Sequence, residues 1–263
     1  MAIYPSVLIH FVVFVFGLCI GSFLNVCIFR IPRAKSIVRP PSACPVCGAP
    51  IRFHNNIPLL SYALLKGRCR DCGVSIPLRY PALELATGLT ATAIFATFGA
   101  SLSAIVYFTF LSTLWVVSLI DIDHRIIPDV ISLPGIPLFF LASLAVPSMT
   151  VKDALLGILF GGGSLYIVAW SYSALKKTDG MGGGDIKLLA MIGALIGWKG
   201  VLFTLFVGSA LGTLVGVGLM ITGGKTMKLA VPFAPFLSAG AAIYVFFGPR
   251  LINWYLNVIP LSI

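Results

Sequence analysis

The sequence has few charged residues and very few acidic ones. Asp, Glu, Lys and Arg make up 10% of the 263 residues, and only eight residues are acids. A soluble chain of this length normally carries about a quarter of its residues as charges. Hydrophobic residues reach 59% instead, and the mean hydropathy is +1.04. The composition therefore excludes an ordinary soluble globular protein.

Histidine and the familiar hydrolase motifs are also scarce. The chain contains three histidines, His10, His54 and His124, and no G-x-S-x-G sequence. Serine hydrolases of the α/β type place their nucleophile on the sharp turn that this sequence forms. The absence of the motif makes serine hydrolysis an unfavourable hypothesis and leaves the acids as candidates for proton transfer.

Apolar runs long enough to cross a bilayer fill most of the chain, since a transmembrane helix needs about 20 apolar residues. The sequence predicts an all-α polytopic membrane protein with about eight transmembrane helices. The predicted spans are at about 8–29, 82–99, 102–121, 130–147, 154–174, 186–197, 200–222 and 231–254. The sixth is too short to cross alone, so flanking residues must extend it or the bilayer must be thinner there.

Basic residues are distributed unevenly over the predicted connections. If residues 30–80 lie in the cytoplasm, fifteen of the eighteen Lys and Arg residues are inside, and only Lys152, Lys199 and Arg250 are outside. The positive-inside rule favours this orientation, with both termini facing away from the cytoplasm. The net charge of +10 therefore reflects membrane topology, and we expect no nucleic acid partner.

The polar insert at residues 30–80 contains two C-x-x-C pairs, each followed by Gly, separated by twenty-one residues. The cysteines are Cys44, Cys47, Cys69 and Cys72. This spacing predicts a zinc-ribbon-like site in which two turns direct four thiolates to one ion, with the glycine after each pair in the left-handed turn conformation. Disulfides are disfavoured in the reducing cytoplasm, and a redox pair needs only one C-x-x-C. A closed four-Cys site has no open coordination position, so we expect structural zinc and not a catalytic metal.

This insert divides the chain into three predicted parts. They are the first transmembrane helix at 1–29, the cytoplasmic insert at 30–80 and the membrane bundle at 81–263.

Two acids are expected to meet at the cytoplasmic edge of this bundle. The third span runs inward and ends at Asp121, and the sixth runs outward from Asp185, so both carboxylates lie at one level. Two adjacent carboxylates that share a proton can act as base and acid on a water and a peptide carbonyl. We therefore predict Asp121 and Asp185 as an aspartic protease pair. Gly182 and Gly184, just before Asp185, would let backbone and substrate approach closely.

Structural roles remain alternatives for the acids near this pair. Asp129 begins a predicted helix, where a negative charge suits the helix dipole, and Asp123 lies in the preceding loop; both are also candidates for substrate binding. Asp185 could cap its helix. Asp121 lies at a helix C-terminus, where the dipole disfavours an anion, so its functional signal is the stronger one.

Five stretches of the sequence together resemble the type IV prepilin peptidases, collinearly over nearly the whole chain. They are Gly21 to Arg33, the two C-x-x-C pairs with residues 56–61 and 67–70 between them, Tyr80 to Gly88, Asp121 to Asp129, and Gly180 to Leu189. The resemblance implies an aspartic endopeptidase of the bacterial inner membrane. It would cut the basic leader of type IV prepilins or type II secretion pseudopilins after a Gly, on the cytoplasmic side. It also implies that Asp121 and Asp185, the latter in a G-x-G-D sequence, are the catalytic pair.

The resemblance further implies methylation of the new N-terminus with S-adenosylmethionine. The sequence offers no Rossmann-type G-x-G-x-x-G for the methyl donor, and it assigns no ligands to it. Glu84, an acid in an apolar stretch, is a candidate for this activity or for a buried bond with Arg79. Expected partners are prepilins or pseudopilins and membrane lipid.

Two rival functions remain at this point. The first is another intramembrane aspartic protease of the G-x-G-D type, although it would have no need for a four-Cys insert. The second is a transporter in which Asp121 and Asp185 carry protons.

Overall fold

The computed structural model describes residues 3–176, 182–223 and 231–258, and this part of the chain contains no β-strand. Eight α-helices follow one another: α1 (Ile3–Arg30), α2 (Leu60–Leu64), α3 (Arg79–Phe98), α4 (Leu102–His124), α5 (Asp129–Ser143), α6 (Val151–Lys176), α7 (Gly183–Gly223) and α8 (Ala234–Val258). Six of them are long and apolar enough to cross a membrane. The predicted all-α, multi-pass membrane protein is confirmed.

Helix α5 is shorter than its predicted span at 130–147. It ends at Ser143 after fifteen residues and contains Pro134 and Pro137. Each proline lacks the N–H that a helix interior uses. At 1.5 Å per residue the helix is about 22 Å long, less than the ~30 Å of a hydrocarbon core.

Helix α7 consists of two helices that meet at Gly197, which has φ 71° and ψ 179°. A Cβ added to Gly193 would lie 2.8 Å from Cγ2 of Val201, although eight residues of one straight helix rise about 12 Å. The chain therefore reverses at Gly197. The two halves, α7a (183–196) and α7b (198–223), correspond to the sixth and seventh predicted spans.

The chain forms two compact units, residues 1–112 and 113–263. In the first unit, α1 and α3 pack through glycines. A Cβ on Gly17 would lie 2.7 Å from Cβ of Ala91, and one on Gly21 would lie 2.7 Å from Cα of Glu84. This G-x-x-x-G pair lets the two backbones approach closely, which dispersion and shape require in lipid. The predicted division into 1–29, 30–80 and 81–263 follows the membrane spans and stays a prediction.

In the second unit, small residues also set the helix spacing. Gly157 of α6 faces Gly193 of α7a, and a Cβ on either would collide with the other's backbone. On the other side, a Cβ on Gly240 of α8 would lie 2.8 Å from the carbonyl oxygen of Thr204 in α7b, and the Phe203 and Tyr244 rings are 5.6 Å apart.

The helix directions in this unit follow from these contacts. Contact positions fall along α7b as they rise along α8, so α8 is antiparallel to α7b. The first turn of α8 therefore lies at the end of the unit that also contains the start of α7a.

Candidate active site

Asp121 lies near the C-terminus of α4 with 6% of its surface exposed. Its Oδ2 accepts a hydrogen bond from the backbone N–H of Ala234, 3.1 Å away. Ala234 is the first residue of α8, where backbone N–H groups have no partner within the helix and favour an anion. The start of α8 thus compensates for the unfavourable position of an acid at the end of α4.

Asp185 lies in the first turn of α7a, and its backbone N–H donates to the carbonyl of Gly182 at 3.3 Å. Its Oδ1 is buried and has no hydrogen-bond partner in the described part of the chain. The carboxyl groups of Asp121 and Asp185 lie within electrostatic range of each other. A buried oxygen without a partner is costly, so this oxygen is a place where water or a peptide carbonyl can bind.

The loop between α4 and α5 packs against the start of α7a. Arg125 adopts φ 55° and donates its backbone N–H to the carbonyl of Asp121 at 2.8 Å. Two residues further on, Ile127 packs on Gly184, since a Cβ added to this glycine would lie 2.9 Å from Cβ of Ile127. The close approach that Gly184 permits is therefore with the protein's own loop, and it fixes the helix turn that contains Asp185.

An ion pair also joins the start of α5 to the start of α7a. The Nζ of Lys187 lies 2.7 Å from Oδ1 of Asp129, with side-chain exposures of 33% and 59%. Asp129 is the first residue of α5, and Lys187 follows Asp185 by two residues in α7a. The pair ties the start of α5 to the start of α7a beside the two aspartates.

The sequence-predicted site residues thus have different surroundings. Asp121 and Asp185 come together, and Gly184 supports the second of them. Asp129 is engaged by Lys187, Asp123 is exposed at the end of α4, and a Cβ on Gly182 would meet none of the residues that the structure describes within 4 Å.

Sequence reasoning missed Ala234 as the partner of Asp121. The signal that could have indicated it is Pro232-Phe-Ala-Pro235, because prolines accumulate at helix starts, where unpaired N–H groups occur.

The four cysteines of the insert form a second cluster, within the first unit. Their sulfur atoms all lie within 4.8 Å of one another, and the Sγ atoms of Cys44 and Cys72 are 3.9 Å apart. Tetrahedral zinc with Zn–S bonds of about 2.3 Å places its sulfurs about 3.8 Å apart. The donor set and its spacing therefore fit a zinc ion.

The two turns that hold these cysteines have the same backbone arrangement. Cys44 N–H donates to Ala49 at 2.9 Å and Cys69 N–H to Val74 at 2.8 Å, and the following glycines, Gly48 and Gly73, have φ 72° and 71°. The predicted left-handed glycine after each C-x-x-C is confirmed.

The cysteine thiols of this cluster differ in pKa. The backbone N–H groups of Cys47 and Val46 lower the pKa of Cys44 to about 7. The backbone N–H of Val74 lowers the pKa of Cys72, but burial and hydrogen bonds with the other three thiols outweigh it and raise that pKa to about 12. Four sulfurs this close cannot all become thiolates without a cation, which is the function that a bound metal would supply.

Together, these features define a polytopic membrane protein with a paired-aspartate site in one unit and a four-cysteine cluster in the other. Residues 108–217 match the model of the Type IV leader peptidase family, and residues 15–98 match that of the Bacterial Peptidase A24 N-terminal domain. The chain belongs to the type IV leader peptidase family.

Curated relatives align over most of the chain. A prepilin leader peptidase/N-methyltransferase of Pseudomonas putida is 36% identical over 259 residues, covering 90% of each chain. The protein of the same name from Pseudomonas aeruginosa is 35% identical over 264 residues, covering 92% of this chain and 91% of its own. One from Myxococcus xanthus is 38% identical over 212 residues, covering 81% of this chain and 63% of its own. No solved structure matches the chain significantly.

Proposed function

We propose that this protein is a membrane aspartic endopeptidase that removes the leader of type IV prepilins or pseudopilins, with Asp121 and Asp185 as its catalytic pair. The observation that carries the proposal is that two carboxyl groups from separate helices lie within range of a direct electrostatic interaction. One is held by the N-terminus of α8, and the other presents a buried oxygen without a partner. The names of the curated relatives supply the substrate class.

The pair can divide the two proton transfers of peptide hydrolysis. The ionised carboxylate takes a proton from water as the water oxygen attacks the carbonyl carbon, and the neutral partner gives its proton to the carbonyl oxygen. As the C–N bond breaks, the carboxyl group that took the proton from water gives it to the leaving nitrogen. The other carboxylate takes back the hydroxyl proton as the carbonyl re-forms. The hydrogen bond from Ala234 suits Asp121 as the ionised member, because a charged acceptor strengthens such a bond. The open oxygen of Asp185 would then receive the substrate.

The substrate would enter from the cytoplasmic side, with its apolar helix in the membrane and the Gly before the cut at the level of the pair. The distribution of basic residues supports this sidedness. Asp123 and Asp129 are the candidates to bind the Lys or Arg residues of the leader: Asp123 is exposed at the end of α4, and Asp129 is 59% exposed and paired with Lys187.

Two further activities belong to the same proposal. We propose that the four cysteines bind zinc in a structural role, since the cluster leaves no open coordination position. We also propose that the protein methylates the newly exposed N-terminus with S-adenosylmethionine; the names of the relatives include an N-methyltransferase activity for those proteins.

The transporter hypothesis lacks a supporting observation. Transporter sites normally lie near the bilayer midplane in broken helices. Here both acids lie at helix ends, Asp121 in the last turn of α4 and Asp185 in the first turn of α7a.

Cleavage of a purified prepilin by Asp121→Asn and Asp185→Asn variants tests the catalytic pair. Each change is isosteric and removes one proton-transfer group, so we expect kcat to fall at least ~10³-fold with an unchanged melting temperature. Asp123→Asn is the comparison: it should raise KM and leave kcat near the wild-type value. Wild-type kcat in either catalytic variant excludes that residue, and an unchanged KM in Asp123→Asn excludes leader binding by Asp123.

A further inference from the structure

The first unit contains a cavity between α1 and the insert, with a volume of about 510 Å³. This volume lies within the range typical of ligand sites. One wall is a stripe along a single face of α1, at spacings of three and four residues. Its members are Cys19, Ser22, Phe23, Val26 and Arg30. The other wall comes from the insert segments 37–42 and 53–58, and among the described residues that line the cavity Arg30 is the one charged side chain.

This cavity lies where the long helices of the first unit end. Helices α1 and α3 are antiparallel, because contact positions fall along α3 as they rise along α1. Both are long and apolar enough to span a membrane, and Arg30 is the last residue of α1. The α1 stripe extends from Arg30 back to Cys19, eleven residues or about 16 Å along the helix. The cavity therefore runs from the expected level of the lipid headgroups to the level of the acyl chains.

Arg30 places a positive charge at the headgroup end of the cavity. Its Nη1 donates to the carbonyl of Ser36 at 2.9 Å, and its Nη2 donates to those of Pro40 at 2.8 Å and Pro41 at 3.4 Å. These carbonyls orient the guanidinium without neutralising it, and two of its five N–H donors remain for a ligand. An oriented guanidinium binds phosphate through charge-assisted hydrogen bonds. This end of the cavity thus fits a phosphate group.

Other positive charges adjoin the insert wall. Arg39 and Arg52 are exposed, and each is next to lining residues in the sequence. Within the described residues, neither of them nor Arg30 forms an ion pair with an acid. Residues 31–80 contain eight Lys and Arg residues and one acid. This excess of positive charge favours a ligand with net negative charge.

The apolar part of the lining is largely uncovered. Phe53 is 89% exposed, Val38 78% and Phe23 46%. Side chains of this kind are unfavourable in water and favourable beside acyl chains. In a protein that spans a membrane, their exposure at the end of a span indicates contact with lipid. The charged end and the apolar surface of the cavity therefore match the two parts of one amphiphile.

Glu84 of α3 lies behind the other end of the α1 stripe. It is 9% exposed, its Oε2 accepts the backbone N–H of Leu59 at 2.9 Å, and it accepts a hydrogen bond from the side chain of Ser22. Ser22 is eight residues from Arg30, about 12 Å along α1. Glu84 therefore joins the insert to both helices and holds the two walls together, while its charge lies away from the end that contains Arg30.

We propose that this cavity binds one anionic phospholipid, with the phosphate at Arg30 and an acyl chain along the α1 stripe towards Cys19. Phosphatidylglycerol carries its negative charge beside an apolar chain, in the order in which the cavity presents a guanidinium and an apolar surface. A zwitterionic phospholipid carries an added ammonium group, which the arginines would repel. The bound lipid would cover Phe23, Val38 and Phe53 and fix the insert against α1.

Native mass spectra of the purified full-length protein in detergent measure lipid binding, with phosphatidylglycerol and phosphatidylcholine of the same acyl chains as probes. Arg30→Gln keeps a donor for the insert carbonyls and removes the charge. We expect it to raise the Kd of phosphatidylglycerol at least ~10-fold and that of phosphatidylcholine less than ~3-fold. Lys66→Gln removes an exposed charge of the insert outside the cavity wall and should change both less than ~3-fold. Equal effects of the two variants would overturn the proposal, because attraction by net charge alone predicts them.

A second pair of variants tests the cavity without changing its charge. Val26→Trp fills the cavity and should raise the Kd of phosphatidylglycerol at least ~10-fold, whereas Leu89→Trp, a matched change at a position of α3 that is 56% exposed, should leave it unchanged. This pair decides if Arg30→Gln lowers the melting temperature, and wild-type affinity in Val26→Trp would contradict the proposed site. Glycerol phosphate, which lacks acyl chains, should not displace the lipid; displacement at equal concentration would assign the cavity to a soluble anion instead.

Discussion

The glycines before Asp185 offer a sharp test of how the site is built. Gly183 and Gly184 are neighbours at the start of α7a, but within the described residues only Gly184 is in close contact with another residue. A Cβ on Gly184 would lie 2.9 Å from Cβ of Ile127, whereas a Cβ on Gly183 or Gly182 would meet no described residue within 4 Å. We therefore expect Gly184→Ala to damage catalysis and Gly183→Ala to be nearly neutral.

The expected loss follows from the displacement that the new methyl group requires. Ordinary van der Waals contact begins at 3.4 Å, so the loop and the helix start must separate by about 0.5 Å. A misplacement of about 1 Å at a catalytic group can cost about 10²-fold in rate, so half of it predicts roughly a tenfold fall in kcat, about 1.4 kcal/mol. Both substitutions gain the same helix propensity, so that contribution cancels between them.

Steady-state cleavage of one prepilin by the two variants provides the measurement, with melting temperatures to confirm folding. The competing explanation is that the glycines admit the substrate backbone. In that case Gly182→Ala or Gly183→Ala, which point into open space, would be the damaging changes and would mainly raise KM. Equal kcat values for Gly184→Ala and Gly183→Ala would refute the packing argument.

Two further changes probe the rest of the structure. A double-mutant cycle with Lys187→Ala and Asp129→Ala should give a coupling free energy below about 1 kcal/mol, because both side chains are partly exposed. A measured coupling of several kcal/mol would contradict this weak interaction. For the insert, Cys44→Ser should lower both zinc content and melting temperature, whereas Cys19→Ser, outside the cluster, should change neither; full zinc content in Cys44→Ser would disprove the four-thiolate site.

The sequence was informative where one local pattern determined the geometry. The helical spans followed from apolar length, and each C-x-x-C with its glycine predicted the left-handed turn found at Gly48 and Gly73. The expectation that Asp121 and Asp185 lie at one level came from counting the two predicted membrane crossings between them, at 130–147 and 154–174. The separate prediction of spans six and seven corresponds to the break found at Gly197.

Sequence patterns did not identify the partners of the site residues. Ala234 donates to Asp121 through its backbone, so its side chain carries no signal. The contact of Lys187 with Asp129 depends on how α5 and α7a approach each other. That approach is set by Gly184 on Ile127, a contact between positions far apart in the chain.

The short helices beside the proposed catalytic pair explain how water could reach it. Helix α7a contains fourteen residues, 183–196, and is therefore about 21 Å long, similar to α5 and well below the ~30 Å of hydrocarbon. Helices α5 and α7a both begin where Asp129 and Asp185 lie. Either the bilayer beside these two helices is thinner, or their first residues lie below the headgroups. In either case an apolar substrate helix can stay in lipid while its scissile bond reaches a hydrated pair of acids. Hydrophobic mismatch between a short helix and the bilayer costs little free energy per ångström, and it would let water reach a peptide bond held in the membrane.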